Sequence, residues 1–296
     1  MPLPLRWLLL VVLVSVLPYL VVNQLAWLPT QSHEMAAIAG GIAAGIFVVA
    51  TIFFAFALPK IFARYYDAKK LTGSQYQTPL RTFAMSAEKL GMPVPELLMF
   101  NDGAPHAFGA GLTPASNTVY ITRGLFESLD PDQLQAYLDF ILVQMKRGET
   151  SLMTFGAGAA YFMLLPIKIA DLADNDALRT ILTLIFGWLG AIYIQTIGMR
   201  AVCYEMDQLA GRHHGPTGAL ALGAALNTGT KVLFKHPLEK IDYASSPMFV
   251  VNPLGGRGVA AIFATHVPTP KRVKKLQRTG TKVVGKEAVA KSKGLV

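Results

Sequence analysis

The stretch Asp130–Thr150, "DPDQLQAYLDFILVQMKRGET", decides how this chain folds. Asp130 followed by Pro131 reads as a helix N-cap with proline at the first helical position. Leu134, Tyr137, Leu138, Ile141, Leu142 and Met145 then recur at three- to four-residue spacing. That period marks an amphipathic helix packed on a core. Upstream, the pattern gives a helix over about 78–90, a strand at "PELLMF", the loop "NDGAPHAFGAG" and a second strand at "NTVYITRG". Residues 59–150 thus read as a compact α+β piece carrying nine basic and nine acidic residues.

Around this piece the composition changes. The 296-residue chain is 52% hydrophobic and only 15% charged, where a soluble domain carries about 25% charged residues. Trp7–Leu28 is a 22-residue apolar run with no charge. It is long enough to span a bilayer. It also exceeds the apolar core of about 7–15 residues of a signal peptide and has no small-residue cleavage site, so it reads as an uncleaved anchor. Met35–Leu58 is a second run, with Gly41 and Gly45 at the G-x-x-x-G spacing that allows close helix approach. Residues 151–170 and 178–199 form a second apolar pair, less clearly spanning because of Pro166 and Lys168.

Arg6 precedes the first run, and Lys60, Arg64, Lys69 and Lys70 follow the second. The loop between them has no basic residue, and the loop after 170, "DLADND", is acidic. Basic flanks face the cytoplasm, so both termini and residues 59–150 are expected there. The net charge of +9 is concentrated late: residues 200–296 carry fifteen basic against five acidic residues. A basic tail beside a membrane can adhere to anionic headgroups; the plainer reading is a solvated, partly disordered tail. No nucleic-acid-binding signature accompanies it, so no nucleic acid partner is expected. One cysteine, Cys203, excludes an intrachain disulfide.

The order of these elements resembles the HtpX-type membrane zinc endopeptidases, a gluzincin family. "GAPHAFGAG" is similar to the family's P-N-A-F-A-T-G loop, with His106 in place of Asn. "NTVYITRGLFESLDPDQLQAYL" is similar to the strand, turn and helix start before the zinc motif. "PLGGRGVAAIFATHVPTPKRVKKLQ" resembles the closing segment, with Thr265, His266, Pro268, Thr269 and Arg272 matching and Val267 replacing a proline. The resemblance implies an α+β membrane protein: two transmembrane helical hairpins, 1–58 and 151–199, and a mainly helical, metalloprotease-like domain with a small β-sheet. Residues 59–150 and 200–275 form that domain, and 276–296 a basic tail. It also implies the inner (cytoplasmic) membrane of a bacterium, with multiple spans.

Such a protease holds zinc with two histidines at i and i+4 and a later glutamate, and uses a glutamate beside the first histidine as general base. On this chain the resemblance places Phe140 and Gln144 at the histidine positions, Ile141 at the base and Cys203 at the glutamate ligand. Glu205, two residues on, is turned about 200° away on a helix. Their neighbours match: Arg200, Tyr204 and Asp207 around the later ligand, and Glu149 where the family has a structural aspartate. Phe and Ile neither bind zinc nor accept a proton. The expectation is therefore no bound zinc, no other cofactor and no hydrolysis by the family mechanism.

Three functions remain open: a pseudoprotease that binds protein or peptide partners, an active endopeptidase with a non-standard site, or a structural subunit of a larger membrane complex. For the second, a Cys203–His106 pair is the candidate, against a buried cysteine and a loop histidine. His213 and His214, before Gly215-Pro216, lie in what reads as a helix-ending turn, exposed rather than a metal site. For the first, the candidate docking strand is His106–Gly111, led by His106, Ala107, Phe108 and Gly109. It carries neither charge nor proline to protect an edge, so something is expected to cover it: a partner peptide, the basic tail, or another part of the chain itself with no recognition role.

Overall fold

In the computed structural model, the described residues are 3–172, 202–233, 237–241, 243–253 and 266–292, with short pieces between 175 and 187. The expected span 178–199 lies largely outside them, as do Arg200 and Thr265.

Helices α1 (Leu3–Thr30) and α2 (His33–Tyr65) form an antiparallel hairpin, and α6 (Glu149–Leu172) packs against both. All three contain segments long and apolar enough to cross a membrane. The apolar window of α6 is 61% buried, against 22% for α1 and α2, so α6 is the most enclosed of the three. Gly158 lets it approach closely, since a Cβ there would meet Ala55 N and Thr51 O at 2.9 Å. Within the hairpin the close approach is made at Gly40, on Tyr19. Among the described residues nothing lies against Gly41 or Gly45. The expected G-x-x-x-G contact is thus displaced by one residue, to the face turned toward α1.

The sheet has four strands in the order β1–β2–β4–β3: β1 (Lys69–Lys70), β2 (Glu96–Phe100), β3 (Ala107–Ala110) and β4 (Thr118–Thr122). The β2–β4 pairing is parallel and the other two are antiparallel. Aromatic rings weld it to the end of α2. Phe108 stacks on Tyr120 at 4.7 Å, Phe62 meets both edge-on at 5.7 and 6.4 Å, and the Tyr120 hydroxyl donates to the Pro59 carbonyl. Membrane-type hairpin and sheet thereby share one continuous core.

Helices α3 (Gln77–Lys89), α4 (Arg123–Ser128), α5 (Pro131–Lys146), α7 (Cys203–His214), α8 (Gly218–Leu233) and α9 (Thr269–Ser292) complete the described domain. The Asp130 side chain accepts from Gln133 N at 2.9 Å, closing the N-cap. Helix α5 is more enclosed than its period implies: Leu134 and every residue from Ala136 to Met145 are buried. Packing by β3, α3, α6, α7 and α8 surrounds it, so its two polar positions, Asp139 and Gln144, are interior as well. The basic C-terminus also departs from expectation. Residues 269–292 are helical, with Arg272, Leu276 and Gly280 buried every fourth residue.

Candidate functional site

The site is built on α5 where β3, α7 and the start of α9 meet it. Phe140, Ile141 and Cys203 have no exposed surface, and Gln144 is 1% exposed. The Arg272 guanidinium lies 5.0 Å from the centroid of the Phe140 ring. It donates to both Asp207 oxygens, at 3.1 and 2.7 Å, and to the Val250 carbonyl. Burial opposes the charge on Arg272, but Asp207 more than compensates and the guanidinium stays protonated. Burial likewise pushes the Cys203 thiol up to about 12, against the pull of Arg272. At neutral pH it is a protonated, buried thiol, and neither a nucleophile nor a ready ligand.

Zinc, which the family resemblance implies, does not fit these side chains. Phe140 and Ile141 offer no donor atom, and the ring fills the space. A dication here would also face a buried guanidinium. The nearest carboxylate on α5, Asp139, is turned to other partners. Among the described residues no group of three or more His, Cys, Asp or Glu is arranged to hold a metal.

The Cys203–His106 pair does not form. His106 is fully buried, edge-on to Phe249 at 5.3 Å, and neither ring nitrogen has a hydrogen-bond partner among the described residues. Burial, with a smaller push from His266, lowers its pKa to about 3, so the ring is neutral. His266 itself bonds to the Phe249 carbonyl.

The candidate docking strand is covered by the chain itself. His106, Ala107, Phe108 and Gly109 are all buried. The outer edge of β3 is taken by the chain itself: Phe108 bridges Phe249, and Val250 N donates to Ala107 O at 3.2 Å. The covering segment is therefore residues 249–250 and not the basic tail, which packs as α9 on α8. Gly109 does permit close approach, but from the core side: a Cβ would lie 2.7 Å from Met145 Cε and 3.1 Å from Ile141 Cγ2. A peptide reaching this edge must first displace residues 249–250.

Two polar features were not foreseen. Glu149 is buried and ion-paired to Arg6, tying the turn after α5 to the start of α1. His213 and His214 form the last turn of α7, where a helix-ending turn was expected, but are half-buried rather than exposed. His214 Nδ1 lies 2.8 Å from Asp139 Oδ2 and its Nε2 lies 3.0 Å from Asp132 Oδ1. Carboxylates only accept, so the arrangement favours the doubly protonated ring. The bond to Asp139 accordingly raises its pKa. Asp139 also accepts from the Ser86 hydroxyl, and from Gln135 at 2.8 Å; Ser86 Oγ lies 2.7 Å from His213 Nε2. Burial lowers the pKa of His213. This network stitches α3, α5 and α7. It is no hydrolytic triad: the single Ser86 proton is committed to Asp139, and Ser86 is buried.

Tyr204 lies under Lys275, whose ammonium is 4.1 Å from the ring centroid, and Asp207 holds Arg272. Sequence separation hid most of these pairings. Arg6 and Glu149 are 143 positions apart, and no local pattern marks them.

The family model for Peptidase family M48 matches residues 80–280. Among curated proteins, the chain is similar to a Protease HtpX homolog of Syntrophobacter fumaroxidans, 25% identical over 233 residues, 74% of this chain and 82% of that protein. A Protease HtpX homolog of Thermococcus sibiricus is 26% identical over 233 residues, 74% of this chain and 79% of its own. One of Pyrococcus abyssi is 29% identical over 203 residues, 65% and 70% respectively. No solved structure matches the chain. With a model covering most of the domain, and apolar helices before it, the chain belongs to Peptidase family M48 as an HtpX-like member of membrane type.

Proposed function

We propose that this protein is a pseudoprotease: an M48 fold anchored in the membrane that engages protein or peptide partners without hydrolysing them. One observation carries the reading. Where the family resemblance puts zinc, its ligands and the base, the chain has Phe140, Ile141, Gln144 and Cys203, packed shut beneath Arg272. Three polar ligands in a closed pocket without metal would be unsatisfied and costly. The apolar replacements remove that cost and leave the domain intact for binding.

In this reading the termini and the M48 domain face the cytoplasm across a bacterial inner membrane, supported by the basic flanks Arg6, Lys60 and Arg64. The test is elemental analysis and a protein-cleavage assay on the purified full chain. Substoichiometric zinc and no cleavage are expected. Near one zinc per chain, or cleavage abolished by Cys203→Ala, overturns it.

A further inference from the structure

Helix α9 gives the charge imbalance of the chain an ordered form. Lys271, Lys274, Lys275, Arg278 and Lys282 are exposed. At about 100° per residue they fall in one stripe roughly 100° wide. The buried positions Arg272, Leu276 and Gly280 lie on another side: Arg272 on Asp207, Leu276 Cβ 3.4 Å from a Cβ built on Gly223, and Gly280 against Leu220. That packing locks the rotation of the helix and so the direction of the stripe.

The stripe differs from four of the domain's other surface cations. Lys69, Lys70, Arg123 and Arg147 each pair with a carboxylate. Among the described residues none of the five α9 cations has an ionic partner, and Glu287 is the single acid between Thr269 and Ser292.

A continuous set of contacts also relates it to the apolar helices. The Lys275 ammonium sits over Tyr204. The next residue, Glu205, pairs with Arg147 at 2.8 Å. Gly148 abuts Leu3, where a Cβ would be 3.1 Å from Leu3 Cδ2, and Glu149 holds Arg6. Leu3, Arg6 and Glu149 are at the starts of α1 and α6. The stripe therefore begins on the side of the domain from which the membrane-crossing helices depart.

We propose that the exposed face of α9 is a docking surface for anionic lipid headgroups of the membrane in which the chain is anchored. Four of the five cations are lysines, flexible point charges that suit a fluid array of phosphates better than a fixed bidentate partner. Cations beside a membrane are attracted to its anionic leaflet. Anchoring through α1, α2 and α6 presents that leaflet at high effective concentration, which a soluble polyanion lacks. The proposal does not depend on whether the domain hydrolyses peptides.

The test uses the full chain in nanodiscs of phosphatidylcholine alone or with roughly a third phosphatidylglycerol, a composition that sets the surface potential. An amine-reactive reagent is applied and labelling of Lys271, Lys274, Lys275 and Lys282 is followed by peptide mass spectrometry, with Lys69 as reference. In anionic discs the four should label about fivefold more slowly, recover at high salt, and leave Lys69 unchanged. Equal rates in the two discs overturn the proposal. So does protection that appears in neutral discs only on adding polyglutamate or RNA, which would make the partner a soluble polyanion. In a variant with all five cations changed to Gln, the amide-exchange rates of α9 should no longer differ between the two discs. A difference that persists in that variant also overturns the proposal.

Discussion

Two neighbouring parts of α5 treat polarity in opposite ways. At its middle, Phe140 and Ile141 are apolar and sealed, and the adjoining His106 is neutral with no hydrogen-bond partner among the described residues. One residue earlier, Asp139 is just as enclosed but holds Ser86, Gln135 and His214. The difference lies in what supplies the partners. Around Asp139 the protein itself supplies the partners, so a polar group is tolerated in the interior. Around Phe140 a polar set would need an ion from outside, and Phe140 and Ile141 have no donor atom to hold one.

The comparison can be broken at several points. The largest effect is expected from Phe140→Ala, which removes a fully buried ring and the surface under Arg272; such truncations cost about 3–5 kcal/mol. Chemical denaturation should show it, and an unchanged midpoint would mean that the centre is not packed shut. Asp139→Ala takes from the half-buried His214 the more enclosed of its two carboxylates and from Ser86 its carboxylate acceptor. Breaking a buried pair in this way costs about 3 kcal/mol, and His214→Gln made in that background should recover part of the loss. If the two changes are additive instead, Asp139 and His214 are not coupled. Gly109→Ala places a methyl group against Met145 and Ile141. Overpacking of about 1–3 kcal/mol is expected, and a neutral effect would show that β3 is free to move from α5.

The smallest effects separate the two parts by the sign of their pH dependence. His214 has a raised pKa, so its contribution is full below about 6.5, the unfolded value, and is lost as pH climbs through the higher folded value. His106 is lowered to about 3, so the unfolded chain takes up its proton first and stability falls as pH drops from 6.5 toward 3. Melting temperature followed from pH 4 to 9 should bend at both limbs. His214→Gln should flatten the alkaline limb alone, and His106→Phe the acid limb alone. A variant that flattens both would show that one network carries the two histidines.

Much of this architecture was legible along the chain because its signals are local. The Asp130-Pro131 cap, the strands at "PELLMF" and "NTVYITRG", and the apolar runs each announce themselves within about twenty residues. The filled centre was legible too, since Phe140 and Ile141 have no polar chemistry to disguise. What escaped was set by partners far away. Lys69 and Lys70 are a strand only because β2 pairs with them. The helix end at His213 and His214 was marked by Gly215-Pro216, but nothing local announced their partners Asp132, Asp139 and Ser86. What covers the edge of β3 was hidden because the residues that close it, Phe249 and Val250, are about 140 positions later.

The pair between Arg6 and Glu149 has a consequence in time. Synthesis proceeds from the N-terminus, so Arg6 leaves the ribosome while Glu149 has yet to be translated. In that interval it is a bare flanking cation of the kind that orients a first span. Once the chain reaches α6, the same guanidinium is drawn into a buried bond and ceases to be a surface charge. A lysine there would serve the first moment as well, being equally cationic. It would serve the second less well, having no planar fork to satisfy a carboxylate. Arg6→Lys should therefore insert with the native orientation and still assemble poorly, which divides one residue's duty between the insertion of the chain and its final packing.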